Sequence, residues 1–414
     1  MNVLVTPVLV FVAVIVLLAG AVLLVRRALE RRSTVTLTLN GKRQLVVTSG
    51  DSLLDTLAHS GIHLASACGG RGTCGQCRVT IPGNADALLP AERNHISRAD
   101  ARLGVRLACM VKVRNDLTVN VPTGALAARS VVCSVRRIHT LSASLAEIEL
   151  DLPPEETFAR RAGDYVLITA PPGEVRFADI ALDPVLHADW ERQGLLRLEA
   201  TIPTPTTRAY SIASAPTDVR TLTLVVRIAT PPASAPPGTP PGLVSSWLWS
   251  RHAGDAVTVT GPFGDFHVTD SDAEMIIIGG GAGVGPLRAI ILDELLGKQS
   301  NRRIRFFYGC RNRRELVYAD EFRALAARFQ NFEYLAALSE PGPTDAWDGP
   351  VGLIHTVMYE TCLETHPNPE DVDYYLCGPP VLSRAVVTML EDLGVERRNI
   401  HFDDFSGTPT GSAT

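Results

Sequence analysis

Apolar residues fill nearly every position at the start of the chain, and this pattern then gives way to alternating strands and helices. Residues 3–25 contain no charged side chain, and a helix of this length spans roughly 35 Å, enough to cross a bilayer. A cleaved signal peptide carries its positive charges before the apolar run, whereas here they follow it, at Arg26, Arg27, Arg31 and Arg32. The pattern predicts a transmembrane helix and basic flank over 1–32, with the N-terminus outside and the remainder in the cytoplasm.

Three further patterns divide the rest of the chain. Alternating strands around an Asn40-Gly41 turn, a short helix and a closing strand predict a small α+β domain over 33–127. Apolar runs separated by turns predict an antiparallel β-barrel or sandwich over 128–270, with a surface loop at 230–242. Strands then alternate with helices over 271–414, which predicts an α/β domain with a parallel sheet.

Composition narrows the possible classes of function. A chain of 414 residues allows two or three domains, and its net charge of -5 gives no general attraction to nucleic acid. Eight cysteines in this length do not form the dense framework of a small secreted domain, so reduced thiols are expected. Reduced thiols agree with a cytoplasmic location for everything after the apolar segment.

Four of the cysteines follow a spacing that indicates a metal centre. Cys68, Cys74 and Cys77 share one glycine-rich loop, and Cys109 comes after 31 intervening residues. Four thiolates with a loop rich in amide donors suit a 2Fe-2S cluster. Zinc sites more often use two separated pairs of C-x2-C type. Zinc and plain core packing therefore stay open as alternatives, and the iron–sulfur interpretation is favoured.

Short motifs in the barrel segment together indicate a flavin nucleotide. "RAYSIAS" places Arg208 and Tyr210 on one face of a strand and Ser211 on the other. A cross-strand aromatic pair would explain this motif alone, but "PPGLVSSWLW" and "GPFGDF" follow it. The first of these begins a helix whose free N–H groups can bind a pyrophosphate, with candidate residues Gly242, Ser245 and Ser246.

A second nucleotide signal lies in the α/β segment. "EMIIIGGGAGVGPLRAI" reads as strand, glycine loop and helix, the context in which such a loop binds phosphates. Its candidate residues are Gly279, Gly280, Gly281, Gly283 and Pro286. "YYLCGPP" ends another strand with Cys377, Gly378 and Pro379, although Cys377 also suits a plain buried thiol. "HFDDFSG" carries Phe405, for which a buried anchor is the simplest interpretation.

Taken in order, these motifs resemble a known family. The phrases "CGGRGTCGQC", "ADWERQG", "RAYSIA", "SSWLW", "YYLCGPPV" and "FDDFSG" are similar to those of the F subunits of bacterial sodium-translocating NADH:quinone oxidoreductases. The insertion "ADWERQG" is absent from related oxygenase reductases. The resemblance implies a β-grasp ferredoxin domain with a 2Fe-2S cluster, an FAD-binding barrel and an NADH-binding domain. It implies that Arg208 meets the pyrophosphate, Tyr210 the isoalloxazine and Cys377 the nicotinamide, with Phe405 stacked on the flavin.

The family role implies a path for electrons. NADH gives a hydride to FAD, and single electrons then reach the cluster and partner subunits, both integral-membrane and flavin-carrying, on the way to ubiquinone at the bacterial inner membrane. Ser406 and the extension 408–414 depart from the family's usual ending. The alternatives are a membrane-tethered NADH-dependent ferredoxin reductase that feeds an oxygenase or desaturase, and an iron–sulfur binding protein without catalysis. Arg311 and Arg314 do not decide between NADH and NADPH, and the resemblance favours NADH.

Overall fold

A computed structural model describes residues 11–21, 33–66, 68–83, 87–232, 234–236 and 238–403, which belong to two compact units. One unit contains the residues up to Leu64 together with Cys77–Pro122, and the other contains Ala65–Gln76 and everything from Thr123. Residues 11–21 are helical (α1). Within the described ranges, no helix combines the length and apolar character that a membrane span needs. Both ends of the predicted transmembrane helix fall outside those ranges.

The first unit is the α+β structure that the sequence predicts. Its three-stranded sheet has the order β2-β1-β5, antiparallel between β1 and β2 and parallel between β1 and β5. Asn40 and Gly41, with φ of 49° and 67°, make the predicted turn between the first two strands. The elements are β1 Thr34–Leu39, β2 Arg43–Thr48, α2 Leu53–His59, β3 Arg78–Thr80, α3 Pro90–Arg93, α4 Arg98–Arg102, β4 Val105–Leu107 and β5 Leu117–Val119.

A six-stranded antiparallel barrel forms the first half of the second unit, with the order β11-β8-β13-β6-β7-β12. A bridge between Ile212 and Leu224 joins the two edge strands, so the sheet closes around one apolar core. The elements are α5 Thr123–Ala127, β6 Arg129–Thr140, β7 Leu145–Asp151, β8 Tyr165–Ala170, β9 Gly173–Arg176, α6 Pro184–Arg192, β10 Glu199–Ile202, β11 Thr206–Ser211, β12 Thr221–Arg227, α7 Leu243–Trp249 and β13 Ala256–Phe263. The described residues of 230–242 form neither helix nor strand, as predicted.

Helix α6 is an element that the sequence pattern did not predict. Asp183 caps it by accepting a hydrogen bond from the backbone N–H of Val185, and Pro184 starts it. Of its residues, only Asp189 and Trp190 are buried. The Trp190 indole is fully buried, donates to the carbonyl of Ala143 at 2.8 Å and stacks on Trp249. The helix is therefore held by one aromatic anchor, and no apolar period marks it in the sequence.

A five-stranded parallel sheet with the order β16-β15-β14-β17-β18 forms the second half of this unit, as predicted. The central strand β14 has no polar side chain because apolar clusters cover both faces of the sheet. The carboxyl ends of β14, β15 and β17 lie along one edge. The elements are β14 Met275–Gly280, α8 Val284–Leu292, β15 Ile304–Cys310, α9 Ala319–Arg328, β16 Phe332–Leu338, α10 Ile354–Met358, β17 Asp373–Cys377, α11 Pro380–Asp392 and β18 Ile400–Asp403.

A buried ion pair stabilises the first unit. Glu92 is completely buried and accepts two hydrogen bonds from the Arg106 guanidinium, at 2.9 and 2.8 Å. The backbone N–H groups of Leu89 and Leu107 also donate to its carboxylate. Although burial alone raises the pKa of Glu92, these hydrogen bonds lower it below the usual carboxyl value. Every oxygen of the carboxylate is thus matched to a donor.

We expect Glu92→Gln to destabilise the first unit by about 3 kcal/mol, because Arg106 would remain buried without a counter-charge. Faster hydrogen exchange over β3 and β4 would reveal the effect, and Glu174→Gln, at an exposed position of β9, should leave it unchanged. Since the pKa of Glu92 is depressed in the folded state, the wild-type stabilisation should be full above the usual carboxyl pKa and be lost as the pH falls through the folded value. Equal exchange in both variants would contradict this assignment.

Candidate functional site

The four cysteines of the spacing pattern come together as two pairs. The sulfur atoms of Cys68 and Cys74 lie 3.4 Å apart in the second unit, and those of Cys77 and Cys109 lie 3.4 Å apart in the first. These distances are far longer than a disulfide bond, so neither pair is a disulfide. The hydrogen bond from Cys74 lowers the pKa of the Cys68 thiol. In the described part of the chain, no three His, Cys, Asp or Glu side chains form a group that could hold a metal ion.

The loop segment Ala65–Gln76 packs against strand β11 within the second unit. Gly69 has a φ of 65°, and a Cβ there would meet the carbonyl oxygen of Thr207 at 2.9 Å. The Arg208 guanidinium donates to the carbonyl of Thr207 at 2.7 Å and to that of Cys68 at 3.5 Å. A side chain at Gly69 would therefore push this loop off the strand, so glycine is required both for its φ and for the close approach.

Strand β11 carries the three residues of the "RAYSIAS" motif. Tyr210 packs against the barrel core, and burial raises the pKa of its hydroxyl. Burial lowers the pKa of Arg208 on the same strand. The Ser211 hydroxyl donates to the carboxylate of Asp403, at the end of β18, over 3.2 Å. This strand thus reaches the end of the parallel sheet as well as the cysteine loop.

The N-terminus of α7 contains the predicted pyrophosphate residues. The hydroxyls of Ser245 and Ser246 both donate back to the carbonyl of Gly242, at 3.1 and 2.7 Å, and Ser245 also accepts from the N–H of Ala229. A Cβ on Gly242 would meet that of Ala229 at 2.6 Å. The serine side chains therefore fix the turn, and the first N–H groups of the helix are the donors available to a ligand.

The glycine loop after β14 meets the end of β17. A Cβ on Gly283 would lie 2.0 Å from the carbonyl oxygen of Cys377, and one on Gly280 would touch Pro379 and Leu382. Gly279 pairs with Cys377 across the sheet. The structure therefore brings together at one strand edge most of the predicted nucleotide residues: Gly279, Gly280, Gly281, Gly283, Pro286, Cys377, Gly378 and Pro379. Phe405 lies outside the described residues.

A polar network joins the barrel to the parallel-sheet half of the second unit. Arg288 on α8 donates to both carboxylate oxygens of Glu321, at 2.6 and 2.7 Å, and to the carbonyl of Ala213 just after β11. Its guanidinium lies 4.9 Å from the centre of the Tyr318 ring. The Tyr318 hydroxyl donates to Glu147 on β7 at 2.5 Å. Arg288 and Ala213 stand in the quoted motifs, but Glu321, Tyr318 and Glu147 stand in none, and only a tertiary structure could identify their contacts.

The turn after β15 carries three arginines, each with a partner. Arg311 pairs with Glu315 at 3.1 Å, and Arg313 donates to the carbonyl of Asp345 at 2.8 Å. Arg314 reaches across to α6 and pairs with Asp189 at 3.2 Å. Helix α6, the segment that holds "ADWERQG", thereby contacts the carboxyl edge of the parallel sheet.

Three family models match the chain in succession. Residues 37–114 match a 2Fe-2S iron-sulfur cluster binding domain, 194–268 an oxidoreductase FAD-binding domain, and 277–388 an oxidoreductase NAD-binding domain. Curated relatives include the F subunit of the Na(+)-translocating NADH-quinone reductase of Neisseria meningitidis, 43% identical over 397 residues, or 96% of this chain and 98% of the relative. The corresponding protein of Klebsiella pneumoniae is also 43% identical, and that of Methylococcus capsulatus 41%, with the same coverage.

Solved structures share the fold at lower identity. The Amycolatopsis cytochrome P450 reductase GcoB has a TM-score of 0.65 at 24% identity, covering 90% of this chain and 99% of that one. The ferredoxin reductase in carbazole 1,9a-dioxygenase has a TM-score of 0.59 at 23% identity, covering 91% and 99%. At this level of identity the likeness concerns the fold alone.

We expect Gly283→Ala to cost about 3 kcal/mol of stability in the second unit, because its methyl group would overlap the backbone of Cys377. Gly281→Ala is the matched control: its φ is 56°, but the added methyl would meet nothing within 4 Å, so it should cost only about 1 kcal/mol. Urea unfolding of the full chain measures both. A smaller loss for Gly283→Ala than for Gly281→Ala would contradict the close approach of the two strand ends.

Proposed function

The chain belongs to the family of F subunits of Na(+)-translocating NADH-quinone reductases, and we propose that it is the electron-input subunit of such a complex. It oxidises NADH and passes the electrons by way of FAD and a 2Fe-2S cluster towards ubiquinone. One observation carries this conclusion: the cluster, FAD and NAD domains follow one another in a chain that matches the relatives over 96% of its length. It is an NADH:quinone oxidoreductase.

Cys68, Cys74, Cys77 and Cys109 are proposed to be the residues that would hold the 2Fe-2S cluster. Thiolates are the usual ligands of such clusters, and the 3.4 Å separation of the sulfur atoms within each pair supports this assignment. When bound, the cluster accepts one electron at a time. Arg208 keeps the peptide of Cys68 against β11, so this cysteine and the "RAYSIAS" strand share a direct hydrogen bond.

FAD is proposed to bind along β11 and the start of α7, and the residues present fit it. Tyr210 offers a ring to the isoalloxazine, and Arg208 and the first N–H groups of α7 offer donors to the pyrophosphate. Gly242, Ser245 and Ser246 shape that helix start through the back-bonded hydroxyls. When bound, FAD links the two-electron donor to a one-electron acceptor. The Ser211 hydroxyl donates to the carboxylate of Asp403, which keeps the end of β18 beside this strand.

NADH is proposed to lie over the carboxyl edge of the parallel sheet, along Gly279, Gly280, Gly281, Gly283, Pro286, Gly378 and Pro379. In parallel α/β sheets, ligands bind outside the carboxyl ends of the strands, and the glycine loop leaves room for the phosphates. Cys377 is fully buried at the end of β17, beside the loop. Cys377 is proposed to line the nicotinamide position, and Phe405 is proposed to stack on the flavin.

The finer assignments of organisation and location are also proposals. The proposed limits are 1–32 for the transmembrane helix and basic flank, 33–127 for the ferredoxin domain, 128–270 for the FAD-binding barrel and 271–414 for the NADH-binding domain. The apolar residues 3–25 would anchor the chain to the bacterial inner membrane, with the other domains in the cytoplasm. The partners would be the integral-membrane and flavin-carrying subunits of the complex. The alternative, a tethered reductase for an oxygenase or desaturase, has only a likeness of fold behind it.

Cys74→Ala should remove the 2Fe-2S absorption and its electron paramagnetic resonance signal while NADH still bleaches the flavin, because three thiolates remain and the flavin residues are untouched. Cys133→Ala is the matched control, since Cys133 is buried in the barrel core, away from the loop, and should keep both signals. Loss of flavin reduction in Cys74→Ala would contradict separate roles for the two sites. An intact cluster would contradict the ligand assignment.

Tyr318→Phe should slow flavin reduction by NADH about tenfold and leave the Kd for NADH nearly unchanged, because the hydroxyl positions the two halves through Glu147 and does not touch the nucleotide. Stopped-flow bleaching of the flavin separates the two quantities. Tyr334→Phe is the control, since its buried hydroxyl has no hydrogen-bond partner among the described residues. A change in Kd alone, or an equal effect of both variants, would contradict the positioning role.

A further inference from the structure

The pairing of Asp189 with Arg314 links an insertion in the barrel half to the edge of the nucleotide sheet. The Asp189 Oδ2 atom lies 3.2 Å from Arg314 Nη1, and its other oxygen accepts from Arg192. The residues Asp189 and Arg314 are separated by 125 positions in the chain. Asp189 is 7% exposed, whereas the Arg314 side chain is 65% exposed. A fixed, buried carboxylate therefore holds a long cation that would otherwise be mobile in solvent.

The position of Arg314 gives this contact a consequence for the nucleotide. In dinucleotide folds, the residues that follow the second strand decide between a free 2′-hydroxyl and a 2′-phosphate on the adenosine ribose, and an arginine there accommodates the phosphate. Strand β15 pairs with the glycine-loop strand β14, and Arg311–Glu315 follow its last residue, Cys310. The turn carries three arginines, the residue type that accommodates such a phosphate, so their number alone does not explain a preference for NADH.

Each of these arginines already has a partner, but the three partners differ in kind. Arg311 is paired with Glu315 of the same turn, and Arg313 is held by Asp345 through a backbone carbonyl. Among the described ion pairs, that of Arg314 is the one of the three that reaches outside the turn, to a carboxylate on the insertion helix α6. Trp190 directly follows Asp189, is fully buried, and anchors helix α6 against the barrel half.

On the premise of the proposed function, we propose that Asp189 is a specificity-determining residue that disfavours NADPH. Its carboxylate, which Arg192 also contacts, pairs with Arg314 and holds this guanidinium in a fixed position, so that Arg314 is not free to turn towards a 2′-phosphate. NADH carries no phosphate on this ribose and is not affected by the pair. The insertion helix thereby contributes to the choice of nucleotide from outside the α/β half.

The test uses the full-length protein with its cofactors and the variant Asp189→Asn, which keeps the shape and removes the charge. The ratio of kcat/KM for NADPH to that for NADH should rise about fivefold, the range expected for a partly exposed pair. Calorimetry should show 2′,5′-ADP binding tighter by a similar factor, with 5′-AMP unchanged. Glu191→Gln, an exposed carboxylate on the same helix, should change neither quantity.

Arg314→Gln provides a second and independent arm, because its exposed side chain is tolerant of substitution. In the wild-type background Arg314→Gln should leave the ratio of kcat/KM for NADPH to that for NADH unchanged, because Arg314 is already paired with Asp189. In the Asp189→Asn background, Arg314→Gln should cancel the rise in that ratio. A gain that survives in the double variant, a fall in the ratio for Arg314→Gln alone, or unchanged 2′,5′-ADP binding in a folded Asp189→Asn protein would overturn the proposal.

If Asp189→Asn does not fold, the ratio of kcat/KM for NADPH to that for NADH in Arg314→Gln alone decides. An unchanged ratio supports the proposal, and a fall in the ratio overturns it. The binding of 2′,5′-ADP reports on the pair without turnover. Absence of NADH oxidation in the wild type would therefore count against the proposed function and not against this assignment.

Discussion

The two halves of the flavin and nucleotide unit depend on one guanidinium group, that of Arg288. It donates to Glu321 on α9 and to the carbonyl of Ala213, two residues after β11, and lies over the ring of Tyr318. Arg288 and Glu321 are half-buried, and an ion pair partly removed from water stabilises a fold only when the donors and acceptors on both sides are matched. Here both oxygens of the carboxylate accept, so the strand of the flavin motif and the helix of the glycine loop are held at a defined separation.

Close approach of main chain to main chain shapes the sites that this network supports. Gly283 lies against the carbonyl of Cys377, and Gly69 against that of Thr207, in each case where a Cβ would otherwise stand. Such contacts bring loops together without placing side chains between them, and they leave amide donors along the loops for phosphates or sulfur atoms. The glycines of both motifs thus allow the backbone segments to pack closely. The space for a ligand is a consequence of this packing.

The sequence predicts those parts of the molecule whose signals are local. The Asn40-Gly41 turn, the parallel sheet and the glycine loop after β14 each follow from a few consecutive residues, and the structure has them where they were expected. Helix α6 was not predicted because a single aromatic anchor, Trp190, holds it, which gives no apolar period. The network around Tyr318 joins three separate elements and has no spacing that a linear pattern could reveal. Interactions of this kind depend on the tertiary fold, and residue types alone do not identify them.

Helix α6 shows why a charge pair near the surface can matter for recognition. Exposed pairs contribute little because two long side chains both lose conformational freedom when they meet. Asp189 is different, since its short side chain is buried beside the anchored Trp190 and is already held by Arg192. Only the Arg314 side chain then loses conformational entropy when the pair forms, so less of the electrostatic stabilisation is offset. The burial of one aromatic anchor, which gives the helix no apolar period in the sequence, also fixes its carboxylate beside the carboxyl edge of the parallel sheet.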